Sequence, residues 1–156
     1  MKKLLLIFVL FSCSSISCMA QASEMTAAEL KFRNEIEKFL KEEGYAPTID
    51  DEDNSLNWKK EGENYWLKVK FDNPTYVEIH KSGFGIEDTN HQKLLEACNR
   101  ASLETRCAKV YITSTSVSFS VEVYCSTANE FKYIFYRSIA CLDTAKEKAK
   151  KYYNND

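Results

Sequence analysis

The sequence predicts an α+β fold: a single antiparallel β-sheet with helices packed on one of its faces, in the order αβββαββα. Strict apolar–polar alternation recurs in short stretches between residues 56 and 80 and again between 107 and 125. That is the period-2 signature of half-buried strands. Stretches near 27–43, 90–104 and 128–153 repeat their apolar residues at helical spacing instead, each behind a Thr followed three residues later by Glu or Gln, the capping-box pattern. A sheet with one apolar face must cover it, and helices laid on that face are the two-layer solution.

The elements follow in order. Thr26 and Glu29 cap a first helix over 27–43, in which Phe32, Ile36, Phe39 and Leu40 share one face and Gly44 stands at the C-cap. Residues 48–55 are acidic and turn-like. A calcium loop counted from Asp51 fails there, because Leu56 stands where Gly is required and Gly62 where the bidentate Glu belongs. Leu56 and Trp58 then alternate with Asn57 and Lys59, and residues 61–64 form a hairpin turn. Tyr65, Leu67, Val69 and Phe71 alternate with Trp66, Lys68 and Lys70. After a turn at Asp72, Asn73 and Pro74, Val77 and Ile79 continue the apolar face, with Tyr76, Glu78 and His80 opposite. Residues 82–88 read as a loop. Thr89 and Gln92 cap a second helix over 90–104, with Leu94, Leu95, Cys98 and Ala101 as its apolar stripe. Strands over 107–113 and 117–125 are joined at Ser114 and Thr115. Thr127 and Glu130 cap a third helix over 128–153, whose Phe131, Phe135, Leu142, Ala145 and Ala149 face inward. Its final Lys146, Lys148, Lys150 and Lys151 suit the negative end of the helix dipole.

The last hairpin fixes its own register. A two-residue turn pairs Thr113 with Ser116, setting Val110 opposite Phe119, Ile112 opposite Val117 and Ala108 opposite Val121. Every apolar residue then meets another. Under this register Cys125 points to the core and Cys107 away from it, which disfavours a bridge between them. A Cys98–Cys107 bridge stays open, as do four free thiols. Cys107 is the thiol expected to be accessible, with Cys98, Cys125 and Cys141 buried.

Residues 1–22 read as an export signal of bacterial type: Lys2 and Lys3, an apolar run over 4–11, and Ala20-Gln21-Ala22 as the cleavage pattern. A lipid anchor at Cys13 or Cys18 is the second reading. Residues 23–156 then form one domain of ordinary size, expected to be periplasmic or extracellular, with an even set of four cysteines available for disulfides. No later stretch is long and apolar enough to cross a membrane. The 21 Lys and Arg face 23 Asp and Glu, and losing Lys2 and Lys3 makes the chain more acidic, which argues against nucleic acid as a partner. A hydrophobic share of 44% with only four Gly and two Pro excludes a disordered chain.

The run Phe39-Leu-Lys-Glu-Glu-Gly-Tyr45, an acidic turn, and then Leu56-Asn-Trp-Lys-Lys-Glu-Gly-Glu-Asn-Tyr-Trp-Leu67 resembles the YbjN-like family, which is similar in fold to the type III secretion chaperones. The resemblance covers roughly residues 30–153 through the order of elements. It implies an α+β fold and a role in protein binding or regulation, often as a homodimer, and brings no catalytic residues. This chain departs from its mostly cytosolic relatives in carrying an export signal.

Sites of known chemistry are not legible. His80, His91, Cys98 and Cys107 match no zinc spacing. There is no nucleotide-binding glycine motif and no G-x-S-x-G or S-x-x-K. No metal or other cofactor is implied. The most informative constellation is the outward sheet face, where alternation places Trp66, Tyr76, His80, Tyr111 and Tyr124 among Lys59, Lys68, Lys70, Lys109, Glu78, Glu122, Ser118 and Ser120. Tyr and Trp among charged neighbours suit a protein-binding surface, although aromatics also stabilise strands without any partner. The leading expectation is an exported, non-enzymatic module that binds a protein or peptide through this face or the exposed edge of the second helix. The alternatives are a carrier of lipid or a small ligand between sheet and helices, and an enzyme using Cys107 with His80 or His91.

Overall fold

The computed structural model describes residues 25–70, 74–86 and 90–155. The export signal, Phe71, Asp72, Asn73 and Thr89 lie outside the described residues. The element order is α1 (Ala27–Glu42), β1 (Thr48–Ile49), β2 (Leu56–Lys60), β3 (Glu63–Lys70), β4 (Thr75–Gly85), α2 (His91–Glu104), β5 (Ala108–Ile112), β6 (Ser116–Cys125) and α3 (Ala128–Asn155). The strands form one antiparallel sheet in the order β1-β2-β3-β4-β6-β5. This is the expected α+β architecture with one short strand added.

Local chemistry accounts for most boundaries. The Thr26 hydroxyl accepts from the Glu29 N–H and the Glu29 carboxylate accepts from the Thr26 N–H, so the box that starts α1 is closed both ways. The β2–β3 hairpin turns on Glu61 (φ 53°) and Gly62 (φ 82°), two left-handed residues in succession, as the tightest hairpin turn demands. At the start of α3, Thr127 accepts from the Glu130 N–H, while Glu130 reaches back to the N–H of Ser126.

Four expectations need correction. The acidic segment contributes β1, whose Thr48 and Ile49 pair with Asn57 and Leu56. The turn after it satisfies its own donors, since the Asp50 and Asp53 carboxylates accept from the N–H groups of Glu52 and Ser55. β4 runs on through residues 82–85, where a bulge shifts its register against β6. Gly83 sits in this irregular stretch because a Cβ there would lie 1.8 Å from the Val117 carbonyl oxygen. The N-cap of α2 is Asn90, which accepts from the Lys93 N–H, while Gln92 bonds Glu96 instead of closing a box. Leu95 is exposed. The buried stripe of α2 is Leu94, Ala97, Cys98 and Ala101, because three- and four-residue steps stay on one helix face and a one-residue step does not.

The core lies between the sheet and the helices. α3 touches α1, α2, β4, β5 and β6, and its Phe131, Phe135, Leu142, Ala145 and Ala149 are buried as expected. Phe135 is the hub, with Phe39 edge-on at 5.3 Å, Trp58 at 6.1 Å and Phe131 at 5.8 Å.

Where the β2–β3 hairpin meets α3, the seam is ionic. Lys81 on β4 is buried and meets Asp143 at 2.5 Å, and Tyr65 donates to the same carboxylate at 2.6 Å. Lys146, also buried, meets Glu63 at 2.5 Å and donates to the Ser82 carbonyl at 3.0 Å. Burial works to raise the Asp143 pKa, but the bonds from Lys81 and Tyr65 prevail and lower it. The Lys146 bond likewise lowers the Glu63 pKa. The basic end of α3 is therefore not only a dipole device, because Lys146 and Lys148 reach sideways to Glu63 and Glu104.

Candidate functional site

Pleating sends the expected residues to the outward face. Cross-strand pairing sets Trp66 beside His80, His80 beside Ser120, and Ser120 beside Lys109. A neighbouring row reads Lys68, Glu78, Glu122, and the next Lys70, Tyr76, Tyr124. The structure brings the five predicted residues into two groups on this face, Trp66, His80 and Tyr111 in one and Tyr76 and Tyr124 in the other.

His80 is the centre of the first group. Its ring stacks on Trp66 with centroids 5.0 Å apart and planes 3° from parallel. Its Nε2 lies 3.2 Å from Glu78 and its Nδ1 3.3 Å from the Tyr111 hydroxyl. Glu78 also accepts from Lys70 at 3.1 Å. Burial works to raise the Glu78 pKa, but the bonds from Lys70 and His80 keep it below the usual range. An ionised Glu78 can only accept, so Nε2 carries the proton, and Nδ1 accepts from Tyr111. Burial lowers the His80 pKa against the opposing pull of Glu78, which keeps the ring neutral in this arrangement.

Tyr111 reaches His80 across the intervening strand β6, so its ring lies above Ser118 and Ser120. That accounts for two serines on an outward face being only 7% and 1% exposed. Burial and the nearby carboxylates Glu78 and Glu122 raise the Tyr111 pKa, so it stays a neutral donor.

In the second group Tyr76 and Tyr124 rings lie 5.1 Å apart, tilted by 48°. Glu122 accepts from Lys109 and from the Tyr76 hydroxyl, and those bonds lower its pKa. The Tyr76 pKa rises, by burial first and by Glu122 second. Tyr124 is 64% exposed and Tyr111 37%. Lys68 at the rim pairs with Asp53 at 2.6 Å. The face is thus a paved surface on which Lys70 and Lys109 are matched by Glu78 and Glu122, with Tyr124 standing proud of it.

Beyond Lys109, at the free edge of β5, lies a cleft of about 710 Å³ lined by His80, Tyr111, Lys109, Arg106, Cys107 and Thr105, among others. The α2 side approaches β5 here, and Ser102 accepts from the Val110 N–H at 3.2 Å. The expectation of Cys107 as an accessible free thiol is corrected: its sulfur is bonded to that of Cys141 on α3, with Cα atoms 6.5 Å apart. Alternation had turned Cys107 away from the helices, but Cys107 lies just before β5 and its partner comes from a helix that no strand register could reveal. The Cys98–Cys107 alternative falls with it, since Cys98 and Cys125 are buried and free. His80 and Cys107 do line one cleft, as a Cys–His pairing would require, but the sulfur is occupied and the imidazole is held by Glu78 and Tyr111. His91 is exposed at the start of α2.

Among the described residues, no group of three or more His, Cys, Asp or Glu is placed to hold a metal ion. No helix there is long and apolar enough to cross a membrane.

Among solved structures, the chain is similar to YbjN from E. coli, with a TM-score of 0.56, 9% sequence identity, and coverage of 76% of this chain and 91% of that one. It is also similar to a chain of the HopA1–SchA chaperone–effector complex, with a TM-score of 0.56, 12% identity, and coverage of 84% of this chain and 99% of that one. At these identities the likeness is one of fold, and it matches the fold that the sequence resemblance implied. No family model matches the chain, and no curated protein does.

Proposed function

We propose that this chain is an exported, non-enzymatic module that binds a protein or peptide, and that the outward sheet face carrying Trp66, Tyr76, His80, Tyr111 and Tyr124 is its binding surface. The observation that carries the reading is the state of that face. Its aromatics are fixed in place by stacking and hydrogen bonds before any partner arrives, so little side-chain freedom remains to be lost on binding. Glu78 and Glu122 are matched there by Lys70 and Lys109, which lowers the cost of covering them. Tyr is also among the residues that interfaces favour at their centres.

Two further points support the reading. The fold is shared with a chain of a chaperone–effector complex. A disulfide between Cys107 and Cys141 suits an oxidising compartment, such as an export signal would deliver the chain to. A carrier role fits less well, since Phe39, Trp58, Phe131 and Phe135 fill the layer between sheet and helices where a cargo would sit.

The test is a comparative pull-down from the native envelope. Wild type is set against a Trp66→Ala/Tyr76→Ala/Tyr111→Ala variant and a Tyr124→Ala variant, each checked for folding by circular dichroism. A partner held by wild type and lost from both folded variants is the expected result. Retention of every partner by both variants would overturn the assignment of the face.

A further inference from the structure

We propose that the Cys107–Cys141 disulfide is a thiol–disulfide exchange site, attacked at Cys107 by the thiolate of a small thiol or of a cysteine in another protein. A disulfide that only staples a fold is best kept from solvent, and this one is not. Cys107 is exposed and Cys141 half-buried, so the two sulfurs differ in access. Cys107 also borders the cleft at the β5 edge, which gives an incoming sulfur room to approach.

The electrostatic surroundings favour a thiolate on either side of the bond. Arg106 directly precedes Cys107, and Arg137 stands four residues before Cys141 on α3, hence on the same helix face. Both are exposed, and neither guanidinium has a hydrogen bond or ion pair among the described residues. The acids nearby are otherwise engaged: Glu122 holds Lys109 and Tyr76, and Glu104 holds Lys148. Exposed sulfur beside uncompensated positive charge is the setting of reactive cysteines. The other two cysteines form a contrast, because burial pushes the Cys98 thiol up and the Cys125 thiol to about 11.

The step balances. The incoming thiolate forms a new S–S bond to Cys107 Sγ while the Cys107–Cys141 bond breaks. The bonding pair leaves on Cys141 Sγ as a thiolate, beside Arg137. The incoming sulfur is oxidised and Cys141 is reduced. Return attack by Cys141 on the mixed disulfide reverses the step and releases the thiol. The fold can survive the opening. β5 remains paired to β6 from Ala108 to Ile112, and Val110 remains tied to Ser102.

The experiment treats the folded, oxidised chain with 2-mercaptoethanesulfonate, with neutral 2-mercaptoethanol, and with a cysteine-bearing peptide, followed by acid quench and peptide mass spectrometry. The expected result is a mixed disulfide on Cys107 and not on Cys141, formed while the circular dichroism is unchanged. The anionic thiol should outpace the neutral one at equal thiolate concentration. Arg106→Gln should cut that advantage about threefold, as expected for one charge at about 7 Å in water. A peptide thiol that outpaces both small thiols assigns the attacking group to a protein, and the reverse order assigns it to small thiols. Adducts on Cys141, or reduction only at the rate of global unfolding in denaturant, would overturn the proposal. A Cys141→Ser variant adds a second readout: its free Cys107 should be captured by oxidised probe, while Cys98 and Cys125 stay unmodified.

Discussion

The two faces of the sheet come from the same strands and the same alternation, yet they are held by different forces. Inward, Leu56, Leu67, Val77, Ile79, Val117 and Phe119 are all but fully buried against the helices. Each is fixed by volume, because a removed methylene leaves a gap that the helices cannot close. Outward, Trp66 stacks on His80, Tyr111 bonds His80, and Tyr76 packs on Tyr124. They are fixed by pairwise contacts worth a fraction of a core residue. The difference teaches where the sequence is free to serve something other than folding. The inward face has no such freedom. The outward face has a great deal, and it spends that freedom on aromatic rings.

The largest effect should come from the inward face. Phe135→Ala removes the ring against which Phe39, Trp58 and Phe131 pack, and should cost about 3–5 kcal/mol in urea unfolding. A loss below about 1 kcal/mol would mean that the helix layer is looser than described and the contrast between faces overstated.

Next comes the ionic seam, where the inward side depends on charge. Asp143→Asn strands the buried Lys81 and should cost about 2–3 kcal/mol, somewhat less than a fully enclosed pair because Asp143 is partly open to water. Its sign with pH is fixed. A carboxylate whose folded pKa is lowered contributes stability above its unfolded value, and that stability is lost as pH falls through the lowered folded value. For Asp143 and Glu63 the ordinary values are 3.8 and 4.5, so wild type should lose stability below about pH 4.5. In Asp143→Asn this acid limb should flatten, as read from urea midpoints between pH 3 and 7.

On the outward face a double-mutant cycle between Trp66→Ala and His80→Ala measures the stack directly. A coupling of about 0.5–1.5 kcal/mol is expected. A coupling of zero would reduce the pair to two independent surface residues. Lowering pH should also weaken this group, because a His with a lowered folded pKa disfavours the proton that the unfolded chain takes up below 6.5.

Much of this contrast was legible in the sequence, and the reason is periodicity. Alternation assigned Trp66, Tyr76, His80, Tyr111 and Tyr124 to one face and their neighbours to the other, and a two-residue turn set the β5–β6 register pair for pair. Local rules did not reach events between distant elements. The partner of Cys107 lies on α3, and nothing in strand spacing points to it. Lys146 and Lys148 read as helix-end charges, but long side chains can lie along apolar surface to distant acids. β1 was invisible because two residues carry no period. The roof that Tyr111 makes over Ser118 and Ser120 needed the register together with side-chain length, and only the first was available.

The smallest effect on stability is the one most informative about function. Tyr124 is 64% exposed and has the Tyr76 ring as its main contact. Tyr124→Ala should therefore change the unfolding free energy by no more than about 0.5 kcal/mol. A tyrosine this exposed earns little for the fold, so if it is there for recognition its loss should be felt in binding alone. The expected outcome is a weakening of partner affinity by tenfold or more, about 1.4 kcal/mol, with the urea midpoint unmoved. If instead stability falls by more than 1 kcal/mol and affinity holds, the outward aromatics are sheet reinforcement. The two faces would then differ in how they are held together but not in what they are for.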